Sequence, residues 1–132
     1  MLKLENSFDT LIGIVMSIIL FLFGKIDTPI IVFFLFLGID YVTGIIKAYV
    51  KKELSSNVGL KGFLKKVCMI IVVSFCCLLD KVTGTDGILR NFIIYYYIAN
   101  EGLSILENIS MMGVKLPEKL RLALIQLEGD DK

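Results

Sequence analysis

The chain has 132 residues, of which 56% are hydrophobic and 20% charged, with a mean hydropathy of +0.80 and a formal charge of +1. This composition excludes a disordered chain, which needs low hydrophobicity and high charge. It also argues against an ordinary soluble domain, because a globule this small cannot remove so much apolar surface from water. The sequence therefore predicts an integral membrane protein in contact with a lipid bilayer. The near-zero net charge indicates no nucleic-acid partner.

The residue types that most catalytic and metal sites require are missing or poorly spaced. The chain has no His, which is the commonest metal ligand and the usual general base near neutral pH. Its three cysteines, Cys68, Cys76 and Cys77, fall in one apolar run without a CxxC spacing. Small buried hydrophobes are the favoured interpretation of these cysteines. We therefore assign no catalytic residue, metal or cofactor, and predict that the protein is not an enzyme.

Charged residues divide the chain into four apolar segments. The uncharged run at residues 10–24 forms a helix of only about 22 Å, against a hydrocarbon core of about 30 Å. The third apolar run, residues 67–79, reaches spanning length only if residues 63–66 join it, with both lysines extending to the surface. We predict an all-α protein with transmembrane spans at residues 10–26, 29–49, 63–80 and 88–109. Three spans remain if one marginal segment does not insert.

The polar segments predict the orientation of the chain. Residues 51–62 form a polar connector, and residues 113–132 form a tail that follows a membrane-embedded domain at residues 1–112. In the tail, Pro117 begins a short amphipathic helix. Its apolar face consists of Leu120, Ala123, Leu124 and Leu127. Because short cytoplasmic loops are rich in Lys and Arg, we predict that both termini are cytoplasmic, with 11 basic residues inside and 3 outside. The connector region then supplies a cytoplasmic basic cluster of Lys51, Lys52, Lys61, Lys65 and Lys66.

An acidic residue, Asp40, lies near the middle of the second predicted span. A carboxylate at this depth costs roughly 2.5–3.5 kcal/mol on insertion scales, so another group must offset the cost. Asp40 shares a helix face with Gly44 and Lys47. Two interpretations stay open: a local cap in which Asp40 bonds Thr43, or a polar seam that faces other subunits or water.

Two pairs of small residues have the spacing that allows helix backbones to approach closely in lipid. They are Gly13 with Ser17 in the first span, and Gly44 with Ala48 in the second. Packing within one subunit and packing between subunits both explain this pattern.

The fourth segment carries a polar stripe at helical spacing. The stripe consists of Tyr97, Asn100, Glu101, Ser104, Glu107 and Asn108. Ile98, Leu106 and Ile109 are predicted to lie opposite it, and Leu103 and Ile105 to flank it. An amphipathic helix on the membrane surface shows such a pattern. The uncharged start at residues 91–100 favours instead a spanning helix whose polar face meets other helices or water.

Two stretches of the chain resemble a known family in order and spacing. One reads D-Y-V-T-G-I-I-K-A from Asp40, and the other reads Y-I-A-N-E-G-L-S-I-L-E-N from Tyr97. With the later Gly113 and Pro117, they make the chain similar to the toxin-secretion/phage-lysis holin family of clostridia, bacilli and their phages. The family's recurring D-x-x-T-G and N-E-G-x-S-I-L-E-N match this chain from Asp40 and from Asn100.

The resemblance implies a holin that self-associates in the bacterial cytoplasmic membrane. Such proteins open timed lesions that release a murein hydrolase or a large toxin, and an antiholin is a possible further partner. The family motifs assign helix-contacting or lumen-facing roles to Asp40, Thr43, Gly44, Asn100, Glu101, Ser104, Glu107 and Asn108. Short helices in a thicker bilayer also predict a mismatch that clustering relieves. The acidic end of the tail departs from the family, whose tails are often basic.

Two alternatives to a holin stay open. An antiholin has the same fold and family and the opposite effect. A small dimeric four-helix exporter would also place carboxylates in the membrane. Such exporters carry the key acid in the first helix, whereas residues 10–24 hold no charge.

Overall fold

A computed structural model describes residues 1–129, and all of the regular structure in this part of the chain is α-helical. The five helices are α1 (Leu2–Phe23), α2 (Thr28–Val50), α3 (Ser56–Thr83), α4 (Ile88–Met111) and α5 (Glu118–Gly129). Three of them, α1 to α3, are long and apolar enough to cross a membrane. The all-α prediction is therefore confirmed for the described residues, whereas the insertion of α4 stays a prediction.

Two helices are longer than the apolar runs within them. Helix α1 begins at Leu2 and has 22 residues, a length of about 33 Å. Helix α3 begins at Ser56, inside the predicted connector, because the Ser55 hydroxyl accepts a hydrogen bond from the Val58 N–H at 3.2 Å. The connector therefore shrinks to residues 51–55. Both helices are therefore long enough to cross a bilayer core of about 30 Å, although their added turns carry charged residues.

Helix α4 forms the centre of the bundle. It has eight buried residues, more than any other helix in the described chain, and packs most extensively against α2 and then equally against α3 and α5. The apolar core combines Phe33 of α2, Val73 of α3 and Ile94 of α4, and the ring of Phe33 stacks on Tyr97 at 6.0 Å. Helix α1 packs only lightly, against α3, and α5 packs against α4. The described bundle is therefore a three-helix core with α1 at its periphery.

An arginine clamp joins the helix ends at one end of the bundle. The buried Arg90 side chain donates to the carbonyl oxygens of Phe23 and Lys25 at 2.6 and 2.9 Å, and to both carboxylate oxygens of Asp27 at 2.8 and 3.0 Å. The Asp80 carboxylate accepts from the backbone N–H groups of Leu89 and Arg90, which caps α4. The short loops at residues 24–27 and 84–87 therefore lie at the same end. Sequence reasoning missed this clamp, because nothing in the pattern shows that the two loops meet.

The clamp predicts a loss of stability in acid. The hydrogen bonds from Arg90 hold the pKa of the Asp27 carboxyl below its ordinary value of 3.8. The contribution of the ionised Asp27 is therefore complete above that value and is lost as the pH falls through the lowered pKa. Thermal unfolding in detergent should show this loss in the wild type, and a weaker pH dependence in Asp27→Asn. An identical acid profile in both proteins would contradict the prediction.

Candidate functional site: a buried polar cluster

A buried ion cluster joins the three core helices. The Lys66 ammonium of α3 contacts a carboxylate oxygen of Asp40 in α2 and one of Glu101 in α4. The side chains are 11%, 12% and 2% exposed, respectively. One lysine therefore holds a carboxylate from each of two neighbouring helices. Glu101 lies about 16 Å along α4 from the arginine clamp, a depth comparable to half the thickness of a bilayer core.

A second layer of hydrogen bonds extends the cluster along α2 and α4. The buried Asn108 amide donates to an Asp40 carboxylate oxygen and to the Thr43 hydroxyl, both at 3.1 Å. The Thr43 hydroxyl donates in turn to the backbone carbonyl of Ile39 at 2.8 Å. The Asp40 carboxylate is thus bound by α3 and α4. Thr43 also donates to Asp40 at 3.1 Å, but to its backbone carbonyl and not to its carboxylate. The polar seam faces helices of the same chain.

Small residues of α2 lie where it packs against α4. A Cβ atom at Gly44 would lie 3.7 Å from the Asn108 amide nitrogen, and Ala48 one turn later is buried. The small-residue pair of α2 therefore packs within the subunit. In contrast, a Cβ atom at Gly13 of α1 would meet nothing within 4 Å, so that pair is open.

The two glycines give a matched pair of mutations. Gly44→Leu would force its side chain into Asn108 and should lower the free energy of unfolding by about 1–3 kcal/mol, as overpacking does. Gly44→Ala fits at an ordinary contact distance and should be tolerated. Thermal unfolding in detergent measures both, with Gly13→Leu as the control. Equal effects of Leu at the two positions would contradict the packing shown by the structure.

The other predicted site residues fall outside the cluster or at its edge. Ser104 is half-buried beside it, whereas Asn100 and Glu107 are exposed on the outer side of α4. Ile98, predicted to lie opposite the stripe, and Ile105, predicted to flank it, are both buried, as Glu101 is. Neighbouring helices cover a wide face of α4. The polar stripe extends from this covered face to the exposed side, so it contains both buried and exposed residues.

The basic residues of the connector region also separate into two groups. Four are exposed: Lys51, Lys52, Lys61 and Lys65. The side chain of Lys66 points instead into the bundle, whereas the sequence predicts that it extends to the surface. The physical reason is that two buried carboxylates offer Lys66 a pair of partners that the exposed positions lack.

The tail helix lies over the second half of α4. The two helices enclose a cavity of about 490 Å³, with Leu106 and Glu107 on one side and Arg121 and Ile125 on the other. Leu120 and Ala123, predicted for the apolar face of the tail, are exposed. The side chains of Leu124 and Leu127 lie outside the described residues.

The polar groups of the described residues are paired with one another. Within residues 1–129, no group of three or more acidic or cysteine side chains is placed to hold a metal ion. All buried side-chain nitrogen and oxygen atoms in this part of the chain have a hydrogen-bond partner. The closed bundle therefore satisfies its own polar groups, and such groups become available to water or to another subunit only if the helices separate.

Comparisons with known proteins identify relatives along most of the chain. A family model described as the bacteriophage holin family matches residues 17–129. The chain is 46% identical over 109 residues to an uncharacterized 14.9 kDa protein from the nagH 3′ region of Clostridium perfringens. The aligned region covers 82% of this chain and 83% of that protein. It is 40% identical over 96 residues to a probable holin of Bacillus phage phi105, covering 71% of each. An uncharacterized protein of Listeria monocytogenes is 39% identical over 115 residues, which is 85% of this chain and 82% of that protein. No solved structure matches the chain.

Proposed function

Because the chain belongs to the bacteriophage holin family, we propose that it accumulates as a closed bundle and then self-associates into lesions. It is a non-enzymatic, multi-pass protein of the cytoplasmic membrane. The proposed cargo is a murein hydrolase, or a large toxin. The observation that carries the proposal is the buried cluster of Asp40, Lys66 and Glu101, whose two carboxylates lie within the stretches that resemble the family.

The cluster supports the insertion of α4 as a fourth span. Glu101 and Asn108 would be costly in lipid if α4 inserted alone, but both are buried against α2 and α3. The arginine clamp holds the start of α4 beside the start of α2. Insertion of α4 together with its neighbours therefore costs less than its own composition indicates. Four spans, with the basic loops inside, place both termini in the cytoplasm.

The outer side of α4 supports self-association. Asn100 is exposed there, whereas Glu107 is exposed beside the cavity between α4 and the tail helix. A polar side chain that faces lipid gains from a polar partner, and a second copy of the chain offers the same groups. We propose that subunits first associate through this side, and that the buried cluster then exchanges its internal contacts for water or neighbouring subunits. The opened polar faces of α2 and α4 would line the lesion.

Induced expression in a bacterium with and without a cytoplasmic murein hydrolase tests the proposal. Culture turbidity and membrane potential are followed together. The expected result is a delayed, abrupt collapse of potential in both strains, with lysis only where the hydrolase is present. Sustained growth with the protein inserted in the membrane would overturn the proposal. Co-expression with a known holin would then separate an antiholin, which delays lysis, from an exporter, which does not.

A further inference from the structure

The buried cluster contains an excess of negative charge. Two carboxylates, Asp40 and Glu101, contact a single ammonium, Lys66, so the three groups together carry one uncompensated negative charge when all are ionised. Other titratable groups do not compensate it. Tyr97 of α4 is neutral at physiological pH, and the basic residues of the Arg90 end lie about 16 Å away along α4. Lys47 lies two turns beyond Asp40 on α2, and none of the ion pairs in the described structure includes it. Arg121 of α5 lines the same cavity as Glu107.

An uncompensated charge is costly in the interior of a membrane. A buried ion needs a partner of opposite sign, or it neutralises by taking up or losing a proton. Lys66 is the most basic of the three groups and keeps its own proton. The remaining way to neutralise the cluster is a proton on one of the two carboxyl groups, which lie next to each other because both contact the same ammonium. Two carboxyl groups that share a site bind a proton in this way in aspartic proteases.

The surroundings indicate which carboxyl group holds the proton. Asp40 accepts a second hydrogen bond, from the Asn108 amide at 3.1 Å, and its side chain is 12% exposed. The Glu101 side chain is 2% exposed, and its hydrogen-bond partner in the described structure is Lys66. Asn108 therefore stabilises the charged form of Asp40, whereas Glu101 has fewer donors and less water. We infer that the closed bundle binds one proton between these two carboxyl groups, carried by Glu101.

The proton adds a chemical step to the proposed opening. The O–H of the Glu101 acid donates a hydrogen bond within the cluster, and Lys66 remains an ammonium bound to Asp40. When the helices separate and water enters, the Glu101 acid gives its proton to water and becomes a carboxylate. The closed-to-open transition would then release one proton per subunit. This last step rests on the proposed function, whereas the bound proton requires only the closed bundle in a membrane.

Infrared spectroscopy of the full-length protein in lipid vesicles at neutral pH tests the inference directly. A protonated carboxyl group has a C=O stretch that is separate from the carboxylate bands. We expect this band in the wild type and its loss in Glu101→Gln. The band should also disappear in Asp40→Asn, because one ammonium then faces one carboxylate. Glu107→Gln, which changes an exposed carboxyl group on the same helix, is the control and should leave the band unchanged.

Each outcome decides the inference. Absence of the protonated-carboxyl band in the wild type would overturn the inference. The negative charge of the cluster would then be balanced by a bound cation or not balanced at all. A band that persists in Glu101→Gln and in Asp40→Asn would place the proton elsewhere and would equally overturn it. Helix content and thermal unfolding confirm that each variant is folded, and either variant alone is sufficient for the test. The spectrum is independent of lysis, so the absence of lysis with the band present would contradict the proposed function and leave the proton site intact.

Discussion

Lys66→Met should destabilise the bundle more than any other single substitution that we propose. It removes the ammonium and leaves the Asp40 and Glu101 carboxyl groups facing each other in a buried site. Breaking a buried ion pair by removing one partner typically costs 3–5 kcal/mol, because the remaining charge is uncompensated. The expected result is a large fall in the unfolding temperature in detergent, and low accumulation in the membrane.

The neighbouring lysine provides the control for this experiment. Lys65→Met removes the same charge from an exposed position on α3 and should have little effect. Adding Asp40→Asn and Glu101→Gln to Lys66→Met removes both carboxylates and should restore part of the lost stability. A Lys66→Met protein as stable as Lys65→Met would show that Lys66 does not hold the three helices together.

Asp40→Leu should delay lysis severalfold or abolish it while the protein still accumulates. The substitution removes an intramembrane carboxylate, which saves about 2.5–3.5 kcal/mol of insertion cost. It leaves Lys66 and Glu101 as a neutral pair that still joins α3 to α4. The closed bundle is therefore retained, whereas the polar face that water would meet in a lesion is reduced. The measurement is the lysis time at matched membrane levels of wild type and variant.

An exposed carboxylate away from the cluster serves as the control for Asp40. Asp9→Leu changes an exposed acidic residue near the start of α1 and should leave the lysis time close to that of the wild type. Glu101→Leu removes the second carboxylate of the cluster and should delay lysis as Asp40→Leu does. Normal lysis timing in Asp40→Leu, at equal amounts of inserted protein, would exclude a role for the cluster in opening.

Much of the helical fold is predictable because the apolar segments are long and their boundaries are charged. The helices α2 and α4 begin and end within two residues of the predicted spans. The inward residues Asp40, Glu101 and Asn108 are also recognisable, since a charged or amide group at depth needs a partner. Sequence alone identifies which residues need partners, but not which residues provide them.

The partners were missed because they come from separate helices. Lys66 follows Lys65 in the sequence, and only the packing of α3 against α2 and α4 shows that one points inward and the other outward. Arg90 stands alone at the start of an apolar segment, and its acceptors lie more than 60 residues earlier, around Asp27. A single sequence contains no direct signal for such pairings.

A disulfide between α2 and α4 tests most directly whether lysis requires the polar cluster to open. Thr43 and Asn108 are in contact across the two helices, with the Thr43 hydroxyl and the Asn108 amide 3.1 Å apart, and we choose these positions for the two cysteines. The natural cysteines are first replaced by serine, and Thr43→Cys and Asn108→Cys are introduced singly and together. Our account predicts that oxidation blocks lysis only in the double variant, and that a reductant restores it. Lysis of the oxidised double variant, with the disulfide verified, would contradict the account.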